Sequence, residues 1–392
     1  MPRAALPPFT LRCAAGMHLV RLDPSRFWRP ARCPACRTPV DPLRAVRLVQ
    51  WLRGNAPRSA VRVGGRRITA GPALAVFSLV LALMVAAMFA LLGDRVWVGT
   101  ILLYTGRWVW LVPIVALGVI VGIADWKWLG VQAAAIWVVL VGVMGLETGW
   151  RSLMPKPGGM PMRVATYNVE GGDRVALRMR EFVAAHRPDI IALQECREPL
   201  RELLPSLLEG YQVDISAGCV ASRFPIDTVR AMPQSQFERV GGLLVTTYIL
   251  RTPSGPVALT NLHLETPRKG LEWLLGSQAG TAPGRIADNI LLREIESRLA
   301  RRWVDSTALP RLVTGDFNLP ADSRIFRTSW GDLTNAWSAA GRGFGYTRLA
   351  GWIRARIDHV LVDDRFAVTG AAVGADYGSD HLPLIVEVVL RR

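Results

Sequence analysis

Residues 73–92 of this 392-residue chain run for twenty positions without a charge. As an α-helix rising about 1.5 Å per residue, the run reaches about 30 Å, the hydrocarbon thickness of a bilayer. Lipid offers the backbone no hydrogen-bond partners, so a helix is the only fold open to such a segment there. It begins too far into the chain for the apolar region of a signal peptide and is expected to persist. Two more runs follow, Trp108–Ala124 and Trp128–Leu146, and Pro113 is tolerable inside a membrane helix. Three helices, about 73–92, 108–124 and 128–146, are therefore expected within a membrane domain of residues 71–150. Val96–Tyr104, between the first two, is too short to cross. Joining it to the second helix would carry Arg107 into the bilayer at about 2.5–3.5 kcal/mol, so an interfacial or re-entrant segment is expected. Trp97, Trp108, Trp110, Trp126 and Trp128 lie near the span ends, as an aromatic belt would.

The net charge of +16 is unevenly spread. Residues 1–70 hold 14 Arg against Asp23 and Asp41, whereas residues 151–392 hold 30 basic and 26 acidic side chains. A nearly balanced C-terminal domain argues against tight DNA binding, which relies on many Lys/Arg–phosphate contacts. The basic excess before the first span instead predicts an integral protein of the inner (cytoplasmic) membrane with a cytoplasmic N-terminus. Three crossings then place the C-terminal domain outside the cytoplasm. Residues 151–161, with Pro155-Lys-Pro-Gly-Gly-Met-Pro161, read as a linker.

In the N-terminal segment, Cys33-Pro-Ala-Cys36 has the spacing of half a structural zinc site, with Cys13 and His18 as the nearby partners. A module of about residues 9–42 resembles bacterial zinc ribbons. It departs from them at Ala15, where a second upstream cysteine is expected, so His18 supplies the fourth ligand or the site is degenerate.

After Met162, short apolar runs each end in a polar fragment. The fragments are Thr166-Tyr-Asn168, Gln194-Glu195, Asn261-Leu-His263, Gly315-Asp316-Phe-Asn318, Asp358-His359 and Ser379-Asp380-His381. Strands are expected at 163–167, 190–193, 243–250, 257–262, 312–314, 357–362 and 384–389, with helices at 175–186 and 286–303. Strands that each deliver one polar residue to a common rim can build a metal–phosphate site. Glu195 offers a hard carboxylate and Asn168 an amide oxygen, a set suited to Mg²⁺ or Mn²⁺. Asp316 and Asn318 on one turn can orient water and donate to a phosphate oxygen. His263 and His381 can exchange protons near neutral pH, and Asp358 can fix a histidine tautomer. Asp380 is a candidate second metal ligand.

The fragments and their order resemble the endonuclease/exonuclease/phosphatase superfamily, the DNase I-like fold, over about Met162–Leu390. The resemblance implies an α/β four-layer sandwich for residues 162–392. It also implies metal-assisted attack of water on phosphorus. Asn168 and Glu195 would be metal positions, and Asp380-His381 the C-terminal pair. His263, Asp316, Asn318, Asp358 and His381 would be catalytic, with base and acid unassigned between the histidines. The expected function is a membrane-anchored, metal-dependent phosphodiesterase or phosphatase acting on nucleic acid or a phospholipid headgroup. An alternative is a non-catalytic phosphate-ligand sensor signalling to the zinc-ribbon-like arm.

Four secondary expectations complete the reading. His359 alternates with Asp358 and is structural. His186, before Pro188, is a capping or surface residue. Cys196 and Cys219 could pair if their Cα atoms come within about 7 Å. Arg223 either approaches the phosphate or salt-bridges at the sheet rim, and residues 267–275 either meet a bilayer or base or pack as a loop.

Overall fold

The computed structural model describes residues 70–150, 158–233, 244–275, 279–351 and 353–391, with short pieces before residue 69. Those pieces include three two-stranded ladders, Phe9–Arg12 with Leu19–Leu22, Ala31–Arg32 with Pro39–Val40, and Val61–Val63 with Arg66–Ile68. Cys13, His18 and Cys33 lie outside the described residues, as does most of the linker. Cys36 sits on a turn between the second pair of strands. Residues 1–80 and 113–135 form one compact unit, and residues 81–112 and 136–392 another.

Three helices are long and apolar enough to cross a membrane: Ala70–Leu91 (α1), Arg107–Ala124 and Trp126–Val143. The second opens with a 3₁₀ turn before Leu111–Ala124 (α3). The third runs through Leu129–Val138 (α4) and closes in a wide π turn at Val139–Val143. It stops three residues short of the expected Leu146, just before Gly145, whose φ of +72° leaves the right-handed helix. Trp97–Tyr104 (α2) is a separate helix, parted from the next by an extended Thr105 and Gly106.

The rest of the second unit is two six-stranded sheets. The first uses Pro161–Gly171 (β1), Ile190–Cys196 (β2), Gln212–Asp214 (β3), Cys219–Ser222 (β4), Phe366–Val373 (β13) and Leu384–Leu390 (β14), ordered β13-β14-β1-β2-β4-β3. The second uses Ile226–Ala231 (β5), Leu244–Thr252 (β6), Gly255–His263 (β7), Arg311–Asp316 (β8), Thr334–Asn335 (β9) and Asp358–Val362 (β12), ordered β5-β6-β7-β8-β12-β9. A hairpin of Arg348–Ala350 (β10) and Ile353–Ala355 (β11) lies beside them.

Period-two alternation explains the layering. Val164, Ile190 and Ala192 face the core between the sheets with Leu259, Leu312 and Val360. Their neighbours Ala165, Ile191 and Leu193 face outward, under Asp173–His186 (α5) and Leu200–Leu207 (α6). Val313 and Leu361 face the opposite way, under Ala282–Val304 (α7) and Arg324–Trp330 (α8). Helices outside two packed sheets make the expected four-layer α/β sandwich. Both sheets are tied by buried amides: Gln194 donates to Asn261 Oδ1 at 2.7 Å, and Asn261 donates to the Leu193 carbonyl at 2.9 Å.

Candidate active site

Strand register gathers the polar fragments at one end of both sheets. β1 and β2 run parallel with Asn168 opposite Gln194. β7 and β8 run parallel with His263 opposite Asp316, and antiparallel β12 sets Asp358 opposite Asp316. Directly paired residues share a face, so His263, Asp316 and Asp358 stand abreast.

Two side chains reach the site only through unusual backbone. Alternation would turn Glu195 outward with Ile191 and Leu193, but its φ of +51° swings it back to accept from Asn168 Nδ2 at 3.0 Å. Asn318 also has φ +51°. Its N–H donates to Asp316 Oδ1 at 2.8 Å, and its Nδ2 to the Leu264 carbonyl at 2.8 Å. Left-handed non-glycine residues carry strain and concentrate at functional sites. Gly315 precedes the turn for a steric reason: at φ +141°, a Cβ there would fall 1.9 Å from the Leu262 carbonyl oxygen.

The centre is Asp316 Oδ2. It accepts from Asn168 Nδ2 at 3.0 Å and lies 3.7 Å from His263 Nε2 and 3.8 Å from His381 Nε2. His263 Nε2 is also 3.7 Å from Glu195 Oε1. His381 Nδ1 is 2.8 Å from Asp358 Oδ2, both side chains about 1 % exposed. The Ser379 hydroxyl pins this last loop, donating to the Asn168 carbonyl at 2.8 Å and accepting from His381 N–H at 3.1 Å. Asp316, Asp358 and His381 can each place a ligand atom within 4.8 Å of the others.

The charges follow from these contacts. Burial alone would push the His381 imidazole down, but the Asp358 carboxylate, its hydrogen bond and Asp316 outweigh it and hold the group at about 9. Burial and the Asp358 charge push Asp316 up, whereas His381 holds Asp358 down against burial. Burial opposes ionisation of Glu195, yet the Asn168 bond and both imidazoles keep it below the usual carboxylate range.

One site residue lay outside sequence reasoning. Arg348 on β10 brings Nη1 within 2.9 Å of His381 Nε2 and pairs Nη2 with Asp380 Oδ2 at 2.6 Å. Asp380 was expected as a second metal ligand. Here its Oδ2 is committed to that guanidinium, and its buried Oδ1 has no hydrogen-bond partner. No motif marks Arg348, because only a hairpin fold returns it to the rim.

The remaining expectations fare unevenly, some corrected and some met. Arg223 is at the wrong end of the sheet: β4 runs antiparallel to β2, so Ser222 pairs with Ile190 and Arg223 lies over the Tyr211 ring. His186 is no cap; its ring packs on Phe182 and shares a 3.0 Å hydrogen bond with the Tyr377 hydroxyl. Residues 267–275 take the packed alternative: Leu271, Trp273 and Leu274 rest on the outer core with Arg285 over Trp273 at 4.6 Å, while Arg268, Lys269 and Glu272 stay exposed. His359 is structural as expected. It is buried against Phe317 and Phe326 with Nε2 2.8 Å from the Leu319 carbonyl, and burial pushes it down to about 4. Cys196 and Cys219 form a disulfide with Cα atoms 6.2 Å apart.

No curated protein matches the chain. Among solved structures, it is similar to an endonuclease/exonuclease/phosphatase family protein from Bacteroides thetaiotaomicron at 19 % identity, covering 60 % of this chain and 100 % of that one, with TM-score 0.47. A mannosyl-6-phosphatase from the same organism is 19 % identical, covering 58 % and 100 %, with TM-score 0.42. The human Nocturnin catalytic domain with bound sulfate is 18 % identical, covering 59 % and 96 %, with TM-score 0.42. The profile of the endonuclease/exonuclease/phosphatase family matches residues 165–381, from within β1 to the buried His381, and the chain belongs to that family.

Proposed function

We propose that this chain is a membrane-anchored, divalent-metal-dependent phosphoric ester hydrolase, cleaving a phosphodiester or phosphomonoester of nucleic acid or a phospholipid headgroup by attack of water. The carrying observation is the buried Asp358–His381 pair facing Asp316, with Asn168, Glu195 and His263 across the same opening. A phosphate-ligand sensor needs no such acid, base and amide set.

The donors fit Mg²⁺ or Mn²⁺. Glu195 would supply a hard carboxylate oxygen to such an ion, beside the Asn168 amide it now accepts from at 3.0 Å. Asn168 would ligate through Oδ1, which now accepts from Glu170 N–H at 3.1 Å, so its amide would turn over. Asp380 would join only on leaving Arg348. When bound, such an ion withdraws charge from the phosphoryl oxygens.

The remaining work belongs to the side chains. Asp316 accepts a proton from the water and orients it. Asp358 keeps the His381 Nδ1 proton in place, so His381 and Arg348 present positive charge and donors to a phosphate oxygen. His263 faces Glu195 and Asp316 and exchanges a proton with the water or the leaving oxygen.

The basic N-terminal segment, three spans and the Cys196–Cys219 disulfide together support an extracytoplasmic domain, since disulfides persist in oxidising compartments. Cys13, His18, Cys33 and Cys36 remain the proposed ligands of a structural Zn²⁺ in the cytoplasmic arm. The test is the full chain in detergent, with Mg²⁺ or EDTA, offered supercoiled plasmid and mixed phospholipid vesicles beside Asp316→Ala. Metal-dependent cleavage lost in the variant supports the reading. Binding without turnover in both proteins would overturn it in favour of the sensor.

A further inference from the structure

Within the second unit, the ends of all three apolar helices grip the loops that form the rim of the site. Arg107, the first residue of the second span, pairs with Asp322 at 2.7 Å and donates to the Val143 carbonyl, at the end of the third, at 3.0 Å. Arg327 donates to the Ala90 carbonyl, at the end of the first, at 2.7 Å. Asp94 caps α8, accepting from Arg324 N–H at 2.7 Å. Past the third span, Glu147 pairs its backbone with Gly343 through bonds of 2.9 and 2.8 Å. The innermost grip is on the catalytic turn itself. The Tyr104 hydroxyl on α2 donates to the Asn318 carbonyl at 2.6 Å, while Arg293, about 1 % exposed, reaches both that hydroxyl and that carbonyl.

These contacts tie the site to the ends of the apolar helices. Asn318 is two residues past Asp316 and Asp322 is six, so chain reach bounds the separations at about 7 and 20 Å. A headgroup layer is about 5–7 Å deep on each side. With those helices spanning a bilayer, as the proposed function has it, the catalytic carboxylate is tethered within that reach of the helix ends, near the depth of the lipid phosphates. A polymer in solution would compete with the bilayer for that approach; an ester already in the surface is presented to it.

We propose, resting on the phosphoesterase reading above, that the substrate is a phosphate ester borne by a lipid of the bilayer the chain spans. Tyr104 is a positioning residue that couples this membrane clamp to Asn318. Arg107 and Asp322 hold the clamp, because a part-buried ion pair stripped of one partner leaves an uncompensated charge.

The test reconstitutes the full chain with Mg²⁺ in phosphatidylcholine vesicles containing phosphatidic acid. Tagged protein-free vesicles of the same lipids, p-nitrophenyl phosphate, bis-p-nitrophenyl phosphate and plasmid are supplied outside. Hydrolysis in the protein's own vesicles should follow surface mole fraction and outrun the protein-free vesicles at least tenfold. Asp322→Ala should lower it at least tenfold while soluble-ester kcat/KM stays within threefold, and Arg107→Asp combined with Asp322→Arg should restore it. Cleavage of plasmid or soluble esters but not lipids overturns the inference. So do equal rates in both vesicle populations, or a parallel loss on lipid and soluble ester without rescue. Failure to cleave anything sinks the phosphoesterase reading itself.

Discussion

Replacing Asp358 with asparagine isolates the electrostatics of the site from its shape. The amide is isosteric, and the backbone bond from Asp358 N–H to the Thr347 hydroxyl is untouched. What disappears is the negative charge 2.8 Å from His381 Nδ1. That charge and its hydrogen bond, with Asp316, lift a buried imidazole from its ordinary 6.5 to about 9, a difference of about 3 kcal/mol at 1.36 kcal/mol per unit. Without them, burial and Arg348 act downward against Asp316 alone, and His381 should fall toward its ordinary value. At pH 8 the wild-type ring is mostly protonated, and the variant ring should be mostly neutral. The assay is a pH profile of kcat/KM on a soluble ester at fixed Mg²⁺. The limb reporting His381 should move down by about two units. Stability gives a second readout. A folded value raised above the unfolded one stabilises fully below pH 6.5, and that stability is lost as pH rises through about 9. The variant should lack this decline. A lowered kcat with both limbs and the stability profile unmoved would refute the coupling.

Other outcomes follow from the same geometry. Burial pushes Glu296 up to about 8, against the hydrogen bond it accepts from Glu265 N–H, so its stability contribution is present below the ordinary carboxylate value and lost as pH rises through about 8. Glu296→Gln should stabilise the chain above that pH, by a gain on the order of 3 kcal/mol in thermal unfolding, and no gain would count against the burial argument. Gly315→Ala should cost at least about 3 kcal/mol, since its Cβ would overlap the Leu262 oxygen, and wild-type unfolding would contradict the reported approach. Cys219→Ser opens a link across 23 residues; it should lose about 3 kcal/mol and, with Cys196 next to Glu195, lower activity as well. Unchanged stability under reductant would refute the pairing.

Much of the fold was legible because its signals are local. An uncharged twenty-residue run admits a helix alone in lipid, and alternating apolar runs such as Asp189-Ile-Ile-Ala-Leu193 admit a strand buried on both faces. Residue type marked Asn168, Glu195, His263, Asp316, Asp358 and His381 as candidates, because the fragments holding them lie at strand ends or starts. Strand direction was not legible, which is why Arg223 was misjudged: its distance from the site depends on β4 running antiparallel to β2.

The sequence by itself determined the three apolar spans, since each depends on the chemistry of neighbouring residues, and its resemblance to a family implied the layered sandwich and the candidate site residues. Only the tertiary structure decided how those side chains are aimed and charged. Glu195 and Asn318 reach the site through left-handed backbone, and Arg348 arrives on a hairpin to claim Asp380. Tyr104 and Arg107 meet Asn318 and Asp322 across more than 200 positions of chain. Such pairings cost loop-closure entropy and are repaid only when many contacts form together, so no local pattern of residues announces them.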